Sequence, residues 1–270
     1  MSRMYPPQKP FVSLHTLAQW LTILFVVVIV IDVIGVFSDI AEISLLSKIN
    51  AGKWVSDSEV TASDTRQAAI GVIWLLVFIA ITVVFLIWIY RAHRNLSALG
   101  VQNLRFSPGW AAGWFFIPIM SLFRPYQVVT EIWKGSDPKS TDGVSWQSVP
   151  LSPLIGWWWA FWIIGNFISN FAARLFLTGE TTGLASSWCV LIADVIEIPA
   201  AILAIAIIRR ISVRQQENGS QAVKFAPQAS GDAFVSGSLP RVQSPAAFCV
   251  VCGRKFEDSD RFCRKCGGRR

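Results

Sequence analysis

Residues 68–90 read AAIGVIWLLVFIAITVVFLIWIY, and Arg91, Ala92, His93 and Arg94 follow directly. No charge interrupts the run, and a helix needs about 20 apolar residues to cross a hydrocarbon core. Three further stretches meet that length: residues 17–37, 152–173 and 186–208. The 270-residue chain is 53% hydrophobic and only 15% charged, too apolar for an ordinary soluble domain. The expected fold is an all-α multi-pass membrane helical bundle of four spans, in contact with a lipid bilayer. The first run is longer than a signal-peptide core and no small-x-small cleavage site follows it, so it reads as a retained anchor.

A fifth apolar stretch, residues 109–123, is shorter and carries Pro118 near its middle. It reads as a re-entrant or interfacial segment, because proline breaks the helical ladder. Charge decides the count of crossings. With four spans and the N-terminus inside, 20 of the 24 Lys and Arg fall on the cytoplasmic side, as the positive-inside tendency requires. This predicts an inner-membrane protein with both termini cytoplasmic. Trp20, Trp88, Tyr90 and the run Trp157 to Trp159 sit at predicted inner helix ends, and Trp188 at an outer one. Aromatic belts of this kind mark headgroup depth. Residues 38–67, with Asp39, Glu42, Asp57, Glu59 and Asp64, read as a solvated external loop.

Beyond the last span the composition changes. Residues 212–247 are rich in Gln, Ser, Gly, Ala and Pro without apolar period, which predicts a flexible linker. Residues 248–270 then hold Cys249 and Cys252, and Cys263 and Cys266, as two Cys-x-x-Cys pairs. Four thiolates at this spacing suit one tetrahedral structural Zn²⁺, and a site filled by sulfur leaves no open position for substrate. Gly253 and Gly267 follow the second cysteine of each pair, where the backbone turns under the metal. The chain therefore divides into a cytoplasmic arm at 1–16, a transmembrane helical domain at 17–211, a linker at 212–247 and a small C-terminal zinc ribbon at 248–270. Thiols in a metal site point to a reducing compartment. The fifth cysteine, Cys189, lies in an apolar stretch and reads as a small hydrophobe. Arg254, Lys255, Arg261, Arg264 and Lys265 compensate the charge of a four-thiolate site, and no recognition helix accompanies them. That argues against nucleic acid and for a cytoplasmic protein partner.

Between the second and third spans the chain reads RAHRNLSALG at 91–100, then LRFSPGW at 104–110, FIP at 116–118, RPYQ at 124–127 and EIW at 131–133. Over roughly residues 70–210 this resembles a bacterial membrane family known as domain of unknown function 4328. The resemblance implies a multi-pass bacterial membrane protein and carries no activity with it. Read physically, Arg91, His93, Arg94 and Arg105 form a basic cytoplasmic edge. Anionic lipid headgroups would be its counter-charge, and the plainer reading is the positive-inside signal alone.

Polar residues inside the spans are costly, and an ionisable one is by default a functional candidate. Asp32 lies in the first span, Asn166 and Asn170 in the third, Asp194 and Glu197 in the fourth. Asn166, Asn170 and Arg174 step by four and share one helix face; Asp194 and Glu197 step by three and share another. Either these groups satisfy one another and glue the helices together, with Arg174 pairing with Asp194 or Asp32, or the acids carry protons or a cation. Only His15 and His93 are available as histidines, and no nucleophile motif is present, which argues against an enzyme. The expected function is a non-enzymatic scaffold, regulator or sensor that docks a partner through the zinc ribbon. The alternative is a proton- or cation-linked transporter or channel built on the intramembrane acids.

Overall fold

The computed structural model describes residues 10–138, 144–178 and 183–225. These are helical, with no strand among them. Four long helices dominate: α1 (His15–Asn50), α2 (Asp57–Ala98), α5 (Pro153–Thr178) and α6 (Leu184–Phe225), all long and apolar enough to cross a membrane. Between α2 and α5 lie α3 (Pro108–Gly113) and α4 (Arg124–Gly135). The most apolar stretch of α2 is only 6% buried, so that helix turns its Val, Ile, Leu and Phe side chains outward to lipid.

Local chemistry sets the boundaries. The Ser56 hydroxyl accepts from the Glu59 N–H at 3.3 Å while the Glu59 carboxylate accepts from the Ser56 N–H at 3.4 Å. This capping box starts α2 and contributes on the order of 1 kcal/mol. At the other end Gly100 takes φ +83°, a left-handed turn that suits glycine and carries the chain away from the helix. Ser107 caps α3 with Pro108 in its first turn, and Pro125 occupies the first turn of α4.

α1 packs on α6, α2 on α1 and α5 on α6, whereas α2 and α5 have no extended contact among the described residues. The main core lies where α1 and α5 begin and α2 and α6 end, here called the basic end because Arg91, Arg94, Arg209 and Arg210 belong to it. Leu21, Trp88, Ile89, Leu96, Ile132, Ile155, Ile208 and Ile211 are all within 1–2% of complete burial there. Full burial of such a side chain stabilises by roughly 1.5–3 kcal/mol. Away from this core Gly35, Ala193, Ala200 and Ala201 are buried small residues of α1 and α6, two helices that pack on one another.

Residues 109–123 do not cross, as expected, and two other expectations change. That stretch forms no helix long enough to cross; α3 passes into short 3-10 turns at Trp114–Phe116 and Met120–Leu122, broken around Pro118. Residues 38–67 are not a loop: α1 runs on to Asn50 and α2 starts at Asp57, leaving a short turn between them. The stretch from Ser212 to Phe225 is not linker but the continuation of α6. Its polar composition is the reason it reads as linker, yet Ser212 and Gln215 are buried against other polar groups. The four cysteines expected to hold zinc, Cys249, Cys252, Cys263 and Cys266, lie outside the described residues.

Candidate functional site

Two groups of buried polar residues occupy opposite ends of the bundle, and they differ in how they are satisfied. At the basic end Glu131 on α4 is 4% exposed and accepts three hydrogen bonds. The donors are His93 Nε2 at 2.8 Å, the Arg105 N–H at 2.8 Å and the Phe106 N–H at 3.3 Å. Gln215 on α6 donates to the Ala92 carbonyl and to Ser136 Oγ, each at 2.9 Å, and accepts from Asn95 Nδ2 at 3.1 Å. Asn95 also holds both the N–H and the carbonyl of Val12. Trp88 Nε1 donates to Ser212 Oγ at 3.0 Å. Arg214 stacks over Trp133 at 4.4 Å and pairs with Asp137 at 3.3 Å. These bonds tie α2, α4 and α6 to one another and to the chain just before α1, as buried polar groups must be tied if burial is to be tolerated.

His93 therefore does not belong to an exposed basic edge. It is wholly buried, because Glu131 gives its ring a partner inside the core. Arg91 and Arg94 are half-buried and Arg105 is exposed, with Arg105 lying 5.8 Å from the Phe106 ring.

At the opposite end a cavity of about 570 Å³ is lined by all four long helices. Its acids stand on the central pair: Asp32, Asp39 and Glu42 on α1, and Asp194 on α6. Gln67 and Trp74 face it from α2, and Ala172, Phe176 and Leu177 from α5. Asp32, Gly35, Asp39 and Glu42 step by three, four and three along α1, so one helix face carries them all. Ser187, Asp194 and Glu197 follow the same rhythm on α6. Glu197 lies one turn beyond Asp194, against Gly165 of α5.

The contrast with Glu131 is in the hydrogen bonds. Asp32 is 1% exposed and neither of its carboxylate oxygens has a partner. The Trp74 indole N–H is directed at Asp32 and Glu197 without closing a bond to either Asp32 oxygen. Asp39 accepts from Gln67 Nε2 at 3.0 Å through one oxygen and leaves the other unpartnered. Glu42 accepts from Ser187 Oγ at 3.3 Å, again through one oxygen. Arg66 of α2, whose charge reaches Asp39, donates from its guanidinium to Ser38 Oγ at 2.8 Å and Ser63 Oγ at 3.0 Å. Among the described residues no Lys or Arg forms an ion pair with Asp32, Asp39, Glu42, Asp194 or Glu197.

The sequence-predicted polar faces do not all meet. Asp32, Asp194 and Glu197 come together, close enough for their charges to interact. Asn166, Asn170 and Arg174 instead line a separate groove on the outer side of α5, with Ser121, Leu122 and Trp162. Asn166 Nδ2 donates to the Trp162 carbonyl at 2.8 Å and Asn170 Nδ2 to the Asn166 carbonyl at 2.7 Å, so both amides turn back on their own helix. Arg174 is exposed and pairs with neither Asp194 nor Asp32. The central segment reaches this groove through Ser121 and Leu122, and the Leu122 carbonyl accepts from Trp159 Nε1 at 3.1 Å.

The order of helices, with a broken segment tied between α2 and α5, now stands beside a family comparison. The family described as "Domain of unknown function (DUF4328)" matches residues 52–213. The chain belongs to that family. The match takes in α2 to α5 and most of α6, and so includes Trp74, Asp194 and Glu197 but not Asp32, Asp39 or Glu42 on α1. Comparison with curated proteins and with solved structures gives no match. Four membrane-crossing helices and this family make it a multi-pass membrane protein of a family without assigned function.

Proposed function

We propose that this protein is a proton- or cation-linked transporter or channel of the bacterial inner membrane, working through the acidic cavity between its four long helices. The observation that carries the proposal is Asp32, a buried carboxylate with no hydrogen bond to either oxygen, beside Asp194 and Glu197. An ionised carboxylate so placed costs several kcal/mol, and a proton or a bound cation relieves that cost. Acids that served only to glue helices would resemble Glu131, which has three donors. The charge distribution supports cytoplasmic termini, which puts the cavity in the outer half of the membrane. The test is proton or cation flux into proteoliposomes holding the full chain. Glu197→Gln should abolish it, and absence of flux at any pH from folded wild-type protein would overturn the reading.

A second reading concerns the tail, and the paired cysteines Cys249/Cys252 and Cys263/Cys266 favour it. As a zinc ribbon it would dock a cytoplasmic protein and make the membrane body a scaffold or a sensor's output. The two readings are compatible, since a cation site in the bundle and a docking module in the tail fit one sensor. Arg91, Arg94 and Arg105 would then face anionic headgroups beneath the bundle.

A further inference from the structure

Resting on the cavity reading above, we infer that the cavity binds an organic monocation with apolar substituents, a quaternary ammonium or phosphonium ion, rather than a bare metal ion. Size is the first argument. A space of about 570 Å³ matches a drug-sized ligand and far exceeds an inorganic ion. The second argument is the placement of charge. The acids stand on the floor formed by α1 and α6, while the walls from α2 and α5 offer Ile70, Trp74, Phe176 and Leu177. A cation with apolar arms is the ligand that needs a charged floor and greasy walls together. Trp74 also lines the cavity and adds an indole ring of the kind that attracts quaternary cations, with one of its two faces already stacked on Phe78.

The third argument is what the acids do not form. Among the described residues no three His, Cys, Asp or Glu side chains come close enough to hold a metal ion. A hard divalent cation takes six or more oxygen ligands at short range. The carboxylates here are spread along the cavity instead, on two helices and over several turns. Asp32 lines this space while both its unpartnered oxygens stay covered, so a ligand meets its charge at the cavity wall. The fourth argument is access. α2 and α5 have no extended contact with each other among the described residues, so the cavity lies between two walls that are not closed against one another. An amphipathic cation dissolved in the lipid reaches the acids through that side without crossing water.

The groups that would share the site's protons are Asp32, Asp39 and Glu42 from α1, Asp194 and Glu197 from α6, and Arg66 from α2; α5 presents no titratable side chain to the cavity. Ligand and protons should therefore compete.

The experiment is equilibrium binding of radiolabelled tetraphenylphosphonium to the purified full chain in detergent. The expected result is saturable binding of one ion per chain, weakened as pH falls. Asp194→Asn and Trp74→Leu should each weaken it about tenfold or more, equivalent to about 1.4 kcal/mol. Asn170→Ala, in the separate groove of α5, should leave it unchanged. Elution as a single monodisperse species checks that each variant folds; if Asp194→Asn fails that check, Trp74→Leu carries the test. No saturable binding by folded wild-type protein, or binding indifferent to Trp74→Leu and Asp194→Asn, overturns the inference. Proton or inorganic-cation flux that persists without tetraphenylphosphonium binding overturns only the ligand class, whereas loss of both removes the cavity reading as well.

Discussion

The Asp194 carboxylate of α6 lies directly against Gly35 of α1, in the space a Cβ at Gly35 would need. Glycine at that position is what lets an acid reach between two packed helices. Gly35→Ala should therefore push Asp194 out of place. Alanine improves helix propensity by up to about 1 kcal/mol, and the clash costs about 1–3 kcal/mol, so thermal unfolding in detergent should show a small net loss. Cation-linked flux should fall far more than stability does. Unchanged flux in Gly35→Ala would mean that Asp194 does not need its position.

The basic end should answer differently. Glu131→Ala removes the acceptor of His93 and of two backbone N–H groups in the 105–106 turn. Removing one partner from a buried polar set of this kind costs about 3–5 kcal/mol. The unfolding midpoint should drop sharply, and hydrogen exchange at Arg105 and Phe106 should accelerate. A variant as stable as wild type would show that this network is not structural.

Gln215 makes a parallel case at lower stakes. Gln215→Ala leaves the Ala92 carbonyl, Ser136 Oγ and one Asn95 bond without their partner. Asn95 and Ser136 keep their bonds to the Val12 and Ile132 carbonyls, so each lost hydrogen bond costs about 0.5–1.5 kcal/mol. Loss of stability together with protease sensitivity near Ser212 is the expected result, and a truly flexible segment at 212–225 would show no loss at all.

Much of this was legible in the sequence. Residues 68–90 and the three matching runs carry the four spans, and Pro118 marks where a fifth fails. Asp32, Asp194 and Glu197 announce themselves as acids in apolar runs. Asp39 and Glu42 do not, because counting apolar residues ends the first span at Phe37 although α1 continues to Asn50. The signal was present in the three-four-three spacing of Asp32, Gly35, Asp39 and Glu42, which only a continuing helix makes into one face. Which faces meet is a tertiary fact, and spacing along α5 could not reveal that Asn166, Asn170 and Arg174 look away from the acids. His93 and Gln215 were misread for one reason: a polar side chain scores as surface or linker until its buried partner is known.

The tail offers a separate test. One zinc per chain is expected in purified protein, lost in Cys263→Ser and in a truncation, with the membrane body still folded. The truncation belongs after Phe225, since one after Ser212 would remove Gln215 from the core. Absence of zinc from wild-type protein would remove the ribbon.

The central claim is that Asp32, Asp194 and Glu197, which form no ion pair among the described residues, are reachable and able to carry a proton. Carbodiimide labelling of the full chain in lipid, read by mass spectrometry, addresses it most directly, because the reagent modifies protonated carboxyls in apolar surroundings. The account predicts a modification on Asp32, Asp194 or Glu197 that a bound cation prevents and that Glu131, with its three donors, does not acquire. No modification on any of the three in folded protein, at any pH, would contradict it.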